Sequence, residues 1–199
     1  MHRNSGRGPR AGVVLPIRSF LLGKARLASD LDDAARAELG RRLADRVADA
    51  AAPYPTVVVT SAPEVRAWAA ERRCVVLEDP GSLDASARLG YERLGGSGID
   101  RVVVAHADLA RARSLERLAD DGGRSIAAIV PCHRDDGTNV LSLPAGTGFR
   151  FSYGPGSFRR HADEARRLGL GLRVVRDPDL AFDVDVPEDL ATLDAPTRA

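Results

Sequence analysis

RVVVAHADL, Arg101 to Leu109, is continuously apolar from Val102 to Ala105 and then turns polar at His106 and Asp108. An apolar run without period-two polarity is the pattern of a strand buried on both faces. VVLPI (Val13 to Ile17), TVVVT (Thr56 to Thr60), VVLE (Val75 to Glu78) and IAAIV (Ile126 to Val130) read the same way. Helical patterns lie between them. The clearest sets Ala35, Leu39, Leu43 and Val47 at four-residue steps, leaving Arg36, Arg41, Arg42 and Arg46 for solvent. Further helices are predicted over Pro63 to Arg72, Leu83 to Leu94, Ser114 to Asp120, Pro155 to Leu168 and Pro187 to Leu193, with Trp68 on an inward face. This alternation predicts an α/β fold: a single three-layer α/β/α domain on a mainly parallel sheet, mixed near VLSL (Val140 to Leu143) and LRVVR (Leu172 to Arg176). Ligands of such sheets bind beyond the carboxyl ends of the strands.

Composition narrows the function classes. With 199 residues, 44% of them apolar, the chain suits one core. The reading is a flexible tail over 1–12 and one domain over 13–195. A formal charge of +1 offers no general attraction to nucleic acid or an anionic membrane, so neither is expected as a partner. No apolar run has the length of a membrane span, and MHRNSGRGPRAG lacks the apolar region of a signal peptide, which predicts a cytoplasmic protein. Cys74 and Cys132 give neither a disulfide framework nor a metal-cluster spacing. Lys24 is the only lysine among 29 basic residues, a candidate for a place where a compact ammonium must meet phosphate.

Three constellations carry chemistry. In FSYGPGSFRRHADEARRLG, Phe151 to Gly169, an aromatic segment breaks at Gly-Pro-Gly-Ser and opens an arginine-rich helix. Unpaired N–H groups and the helix dipole there would welcome phosphate or carboxylate. The plainer reading makes Pro155 the first turn, Ser157 the cap and the glycines a corner. In RVVVAHADL, His106 and Asp108 share a face at a strand end, as do Asp183 and Asp185 in LAFDVDVPEDL, Leu180 to Leu190. Glu188 and Asp189 are explained as first-turn acids of a helix. Asp108, Asp183 and Asp185 would converge on Mg²⁺, an oxygen-seeking ion usually completed by water and phosphate, unless each acid merely makes a turn or cap.

Six segments together resemble a known family over Val13 to Leu193: LPIRSFLLGKARLA (Leu15 to Ala28), EDPGSLDASARLG (Glu78 to Gly90), AHADL (Ala105 to Leu109), DGTNVL (Asp136 to Leu141), FSYGPGSFRRHADEA (Phe151 to Ala165) and DVDVPEDL (Asp183 to Leu190). The chain resembles the phosphoenolpyruvate or 2-phospho-L-lactate guanylyltransferases of coenzyme F-420 biosynthesis. The resemblance implies a nucleotide-diphospho-sugar transferase-like, Rossmann-like fold, GTP as co-substrate and Mg²⁺. It implies that Lys24 and Arg26 face the triphosphate, with Asp108 beside them as catalytic residues. Leu15, Pro80, Gly81, Leu83 and Asp84 would border GTP. Thr138, Asn139, Gly154, Gly156 and Ser157 would cradle the acid substrate, with Arg159 a second-rank candidate, and Asp108, Asp183 and Asp185 would hold the metal. A downstream deazaflavin phospho-acid transferase is the implied transient partner.

The chain departs from the family pattern at Ala25, Ala62, Asp84, Cys132 and His133, so Cys132 and His133 are read as a substituted loop. A phosphate monoester is already ionised near neutrality, so the transfer needs no general base, and His106 and His161 are assigned structural roles. Two alternatives stand beside this reading. One is a non-catalytic nucleotide-binding or scaffold homologue; the other is a nucleotidyltransferase of the same fold acting on another acceptor such as 3-phosphoglycerate. A glycosyltransferase would also want paired aspartates at strand ends.

Overall fold

A computed structural model describes residues 10–22, 24–120 and 125–194. Seven strands form one sheet: β1 (Ala11–Pro16), β2 (Thr56–Val59), β3 (Val75–Leu77), β4 (Arg101–Ala105), β5 (Ile126–Pro131), β6 (Thr138–Pro144) and β7 (Gly171–Val174). The spatial order is β3-β2-β1-β4-β6-β5-β7. Only β6 runs antiparallel, to both β4 and β5, so VLSL supplies the mixed character and LRVVR pairs in parallel with β5. β1 begins two residues before the predicted Val13, because Ala11 and Gly12 already pair with Arg101 and Val102. Most of the tail expected over 1–12 lies outside the described residues.

The helices of the described residues are α1 (Asp33–Ala51), α2 (Pro63–Glu71), α3 (Leu83–Gly95), α4 (Glu116–Ala119), α5 (Ser157–Arg167), α6 (Pro178–Ala181) and α7 (Pro187–Asp194). Strand alternation divides the core. Val13, Leu15, Val58 and Val103 face α1, α2 and the α4 region, where Ala44, Val47, Val65, Trp68 and Leu118 pack. Val14, Val57, Val102 and Val104 face α3 and α5 through Ala87, Tyr91, Leu94, Ala162 and Ala165. These are the predicted three layers. Trp68 is buried edge-on against Phe20 at 5.7 Å, and its Nε1 donates to Asp45 Oδ1 at 2.7 Å.

Three element readings need correction. The helix predicted over Ser114 to Asp120 shrinks to four residues, because Ser114 Oγ accepts from Glu116 N and makes a turn first. Asp183 and Asp185 lie on no strand: Asp183 forms a single antiparallel bridge with Leu109. Ser157 is not a cap, since the cap position belongs to Gly156, in the left-handed region at φ 73°, and Pro155 precedes the helix.

Candidate active site

β2 pairs on one side of β1 and β4 on the other, so the sheet order reverses between β1 and β4. A crevice opens at such a switch point beyond the strand ends. β1 leaves the sheet at Pro16 into a loop whose base Glu64 of α2 holds, accepting from Ser19 Oγ at 2.6 Å and Phe20 N at 3.2 Å. The loop returns through Lys24, whose φ of 58° is uncommon for a residue with a side chain, into a 3-10 turn over Ala25–Leu27. Leu27 is buried with Leu39, Leu43, Phe182 and Val184, so one small apolar cluster ties the lysine loop to the aspartate segment. That segment runs beside the end of β4: Ala110 N donates to Phe182 O at 3.2 Å and Val184 N to Asp108 O at 3.3 Å.

The result is a pocket of about 310 Å³ bordered by Pro16 to Phe20, Lys24, Leu83, His106, Asp108 and Asp185. Lys24 Nζ lies 2.6 Å from Asp108 Oδ2 and 3.2 Å from Asp185 Oδ1. Burial alone would lower the Lys24 pKa, but Asp108 and Asp185 outweigh it and hold the pKa above its ordinary value. Burial would likewise raise Asp108; Lys24 and His106 reverse this and hold it below the usual carboxylate range. Asp183 is raised by burial and by the nearby Asp108 and Asp185 charges. Its Oδ1 receives Asn139 Nδ2 at 3.3 Å and lies 3.3 Å from His133 Nδ1.

Among the described residues, no three His, Cys, Asp or Glu side chains are gathered tightly enough to enclose a metal. The donor chemistry nevertheless fits a hard cation. Three carboxylates repel one another here, Asp108 Oδ1 is buried with no partner, and a cationic ammonium already sits between two of them.

The loop from Phe151 to Ser157 reaches the pocket residue His106 through Tyr153, whose ring centroid is 5.3 Å from that of His106, and two side chains shape it. Arg160 donates to the carbonyls of Ser152, Tyr153 and Pro155 at 2.6–3.2 Å and to Ser152 Oγ at 2.8 Å. Asp136 engages the helix start: its Oδ1 accepts from Gly156 N at 2.9 Å and its carbonyl from Phe158 N at 3.1 Å. A carboxylate thus already takes up this positive helix end. Behind the loop, His161 is fully buried, accepting from Ser152 N at 2.9 Å through Nε2, with Nδ1 3.0 Å from Thr138 Oγ1. Burial, with Arg160 nearby, lowers its pKa to about 4, so it is neutral at physiological pH.

Among the expected residues, Lys24, Leu83, Asp108 and Asp185 border one pocket. Leu15 does not: its side chain is in the core and its backbone in the β1–β2 ladder. Thr138 and Ser157 are buried with their hydroxyls 3.5 Å apart, away from the surface a substrate would meet. Asn139 Nδ2 donates to the Leu180 and Ala181 carbonyls and to Asp183, which makes it a support for the aspartate segment. Asp84 Oδ1 accepts from Tyr153 N at 2.6 Å, tying α3 to the Phe151–Ser157 loop. Pro80, Gly81 at φ 100°, Gly154 at φ 93°, Arg26 and Arg159 are exposed, and Gly156 is half-buried.

Sequence reasoning missed Glu64, His133, Asp136, Tyr153 and Arg160. Asp136 lies within DGTNVL and Arg160 within an arginine run, and neither carries a spacing signal of its own. His133, set aside with Cys132 as a substituted loop, lies against Asp183, while Cys132 Sγ accepts from Gly137 N at 3.1 Å. A separate cavity of about 1070 Å³ runs along α3 from Asp84 toward Arg10 and Asp100 and contains neither Lys24 nor Asp108, Asp183 and Asp185.

A crevice at the β1/β4 switch point bordered by Lys24, Asp108 and Asp185 sits on the fold of the nucleotide-diphospho-sugar transferase-like nucleotidyltransferases. A candidate nucleotide-diphospho-sugar transferase from Desulfovibrio desulfuricans G20 superposes with a TM-score of 0.75 at 18% identity, covering 93% of this chain and 86% of that one. The family model described as "Guanylyl transferase CofC like" matches residues 11–194, and the chain belongs to that family. The chain is 35% identical to a phosphoenolpyruvate guanylyltransferase of Sphaerobacter thermophilus, over 91% of each chain. It is 35% identical to a 2-phospho-L-lactate guanylyltransferase of Halorubrum lacusprofundi, covering 91% of this chain and 82% of that one. It is 30% identical to a 3-phospho-D-glycerate guanylyltransferase of Phenylobacterium zucineum, covering 90% and 87%.

Proposed function

We propose that this guanylyltransferase moves GMP from GTP to the phosphate of phosphoenolpyruvate, or of 2-phospho-L-lactate, releasing pyrophosphate in coenzyme F-420 biosynthesis. The observation that carries the reading is the Lys24 ammonium held between Asp108 and Asp185 at the switch-point crevice. An acceptor phosphate oxygen attacks the α-phosphorus of GTP, the bond from that phosphorus to the bridging oxygen breaks, and pyrophosphate leaves with the electron pair. No proton needs to be removed from an ionised phosphate. The obstacle is anion meeting anion, so position and charge compensation are the tasks of the protein.

Lys24, released from the carboxylates, and exposed Arg26 are suited to the triphosphate. Asp108, Asp183 and Asp185 would hold Mg²⁺, which supplies charge neutralisation of the triphosphate when bound. Leu83 at the pocket and Pro80 and Gly81 before α3 are suited to the nucleoside, and Gly154 and Gly156 to the acid. A downstream deazaflavin phospho-acid transferase would take the activated product.

Pyrophosphate release from GTP and Mg²⁺ with each phospho-acid in turn tests this, with ATP and chelator as controls. Release with phosphoenolpyruvate or 2-phospho-L-lactate and GTP is expected, and loss of release with chelator. Release only with 3-phosphoglycerate would move the acceptor to that carried by the name of the Phenylobacterium relative. GTP binding without turnover of any acid would favour a non-catalytic homologue.

A further inference from the structure

Four buried side-chain polar atoms have no hydrogen-bond partner among the described residues: Arg36 Nε, His106 Nε2, Asp108 Oδ1 and Tyr153 Oη. Such atoms are costly, and three of the four lie near one another: His106 and Asp108 border the candidate pocket, and the Tyr153 ring lies against that of His106. Asp108 is already engaged there by Lys24. His106 leaves β4 two residues earlier, and its ring centroid is 5.3 Å from that of Tyr153 at a 41° tilt. Two buried polar atoms on facing elements thus await the same kind of partner.

Tyr153 is held firmly. Its N–H donates to Asp84 Oδ1 at 2.6 Å, its carbonyl accepts from Arg160 Nη2 at 2.9 Å, and its ring stacks on Phe151 and meets His161 edge-on at 4.8 Å. Burial, and Asp84 nearby, push its pKa far above the ordinary phenol value, so the hydroxyl keeps its proton and has a hydrogen bond to donate. Its natural partner is an anionic oxygen.

We propose that Tyr153 Oη and His106 Nε2 together receive an anionic oxygen of the acceptor phospho-acid, which makes Tyr153 a determinant of acceptor binding. This rests on the phospho-acid reading above. The placement favours the acceptor over GTP because Tyr153 directly precedes the Gly154 to Ser157 turn while His106 adjoins the carboxylates.

Steady-state kinetics of wild type, Y153F, H106L and the double variant, with each substrate varied, test the pair. Y153F should raise the KM for phosphoenolpyruvate about tenfold and leave the KM for GTP within about twofold. The double variant should lose less than the product of the single losses, because both groups serve one oxygen. The thermal midpoint of ligand-free Y153F should equal or exceed that of wild type, because an unpartnered hydroxyl is removed. Inorganic phosphate and pyruvate as separate competitive inhibitors identify the oxygen: the one whose inhibition weakens in Y153F carries the contacted group. An unchanged acceptor KM in an active Y153F protein, or a loss confined to GTP, would overturn the pair alone. A wild type that turns over no phospho-acid would overturn the functional reading itself, and the pair with it.

Discussion

His161 shows how a buried titratable side chain can serve structure alone. Its two ring nitrogens join the Ser152 amide to the Thr138 hydroxyl, so the ring works as a neutral spacer between β6 and the loop. Its pKa is about 4 in the folded chain against an ordinary value near 6.5. Above pH 6.5 neither folded nor unfolded chain protonates it, and its contribution is fully present. As pH falls through this window, the unfolded chain gains a proton that the folded chain refuses, so stability drops by about 3 kcal/mol on approaching pH 4. Urea unfolding at about pH 7 and about pH 4.5 should show a smaller acid loss in H161Q than in wild type. Equal losses would mean that other groups govern the acid limb. Lys24 was legible as the only lysine of the chain, Asp108 as a charge just past a buried apolar run, and Asp185 through its two-residue spacing from Asp183. Asp136 and Arg160 were not, because their roles depend on reaching backbone groups of a loop whose path no local pattern states.

At the scale of elements, α3 presents Leu83 to the candidate pocket from one end while its side packs on β1. The close approach occurs at Gly90. A Cβ there would come within 2.9 Å of Val14 Cγ2 and 3.2 Å of Val14 Cβ, and a β-branched side chain in a strand has little room to turn away. Gly90→Ala should therefore cost about 1–3 kcal/mol of stability by overpacking, read as a lower thermal midpoint. An unchanged midpoint would mean that α3 can shift outward freely. The central strands were the most legible elements, because burial on both faces requires unbroken apolar runs; β3, read from VVLE as buried on both faces, is instead an edge strand with Val75 exposed. The Asp183 segment was misread as a strand because its alternation is real, but its backbone finds only one bridge, beside Leu109. The α5 cap was misread because glycine and serine are both good caps, and only the path of the loop chose Gly156.

Across the whole molecule, the ligand-free chain completes its own site. Lys24 stands where positive charge is wanted between carboxylates, and Asp136 stands where negative charge is wanted at the α5 N-terminus. Ligands with those charges compete with internal partners, and binding then adds to stability by linkage. With Mg²⁺ and GTP at about a hundredfold over Kd, unfolding free energy should rise by about 2.7 kcal/mol. The rise should need both components and be lost in D108N. A full rise with GTP alone in chelator would remove the carboxylates from nucleotide binding. Among the described residues no helix is long and apolar enough to cross a membrane.

The sequence by itself determined the layers, the antiparallel strand at VLSL and the charged residues that the structure brings to one pocket, because the alternation of apolar runs and helical periodicity is written along the chain. Only the tertiary structure decided which of those residues meet. Lys24 is 84 residues from Asp108 and 161 from Asp185 along the chain. Their contact depends on strand order at the β1/β4 crevice and on the Leu27–Val184 cluster, and long-range packing leaves no local trace in sequence. The same holds for Tyr153 and His106, whose unpartnered atoms become visible only when two elements face each other.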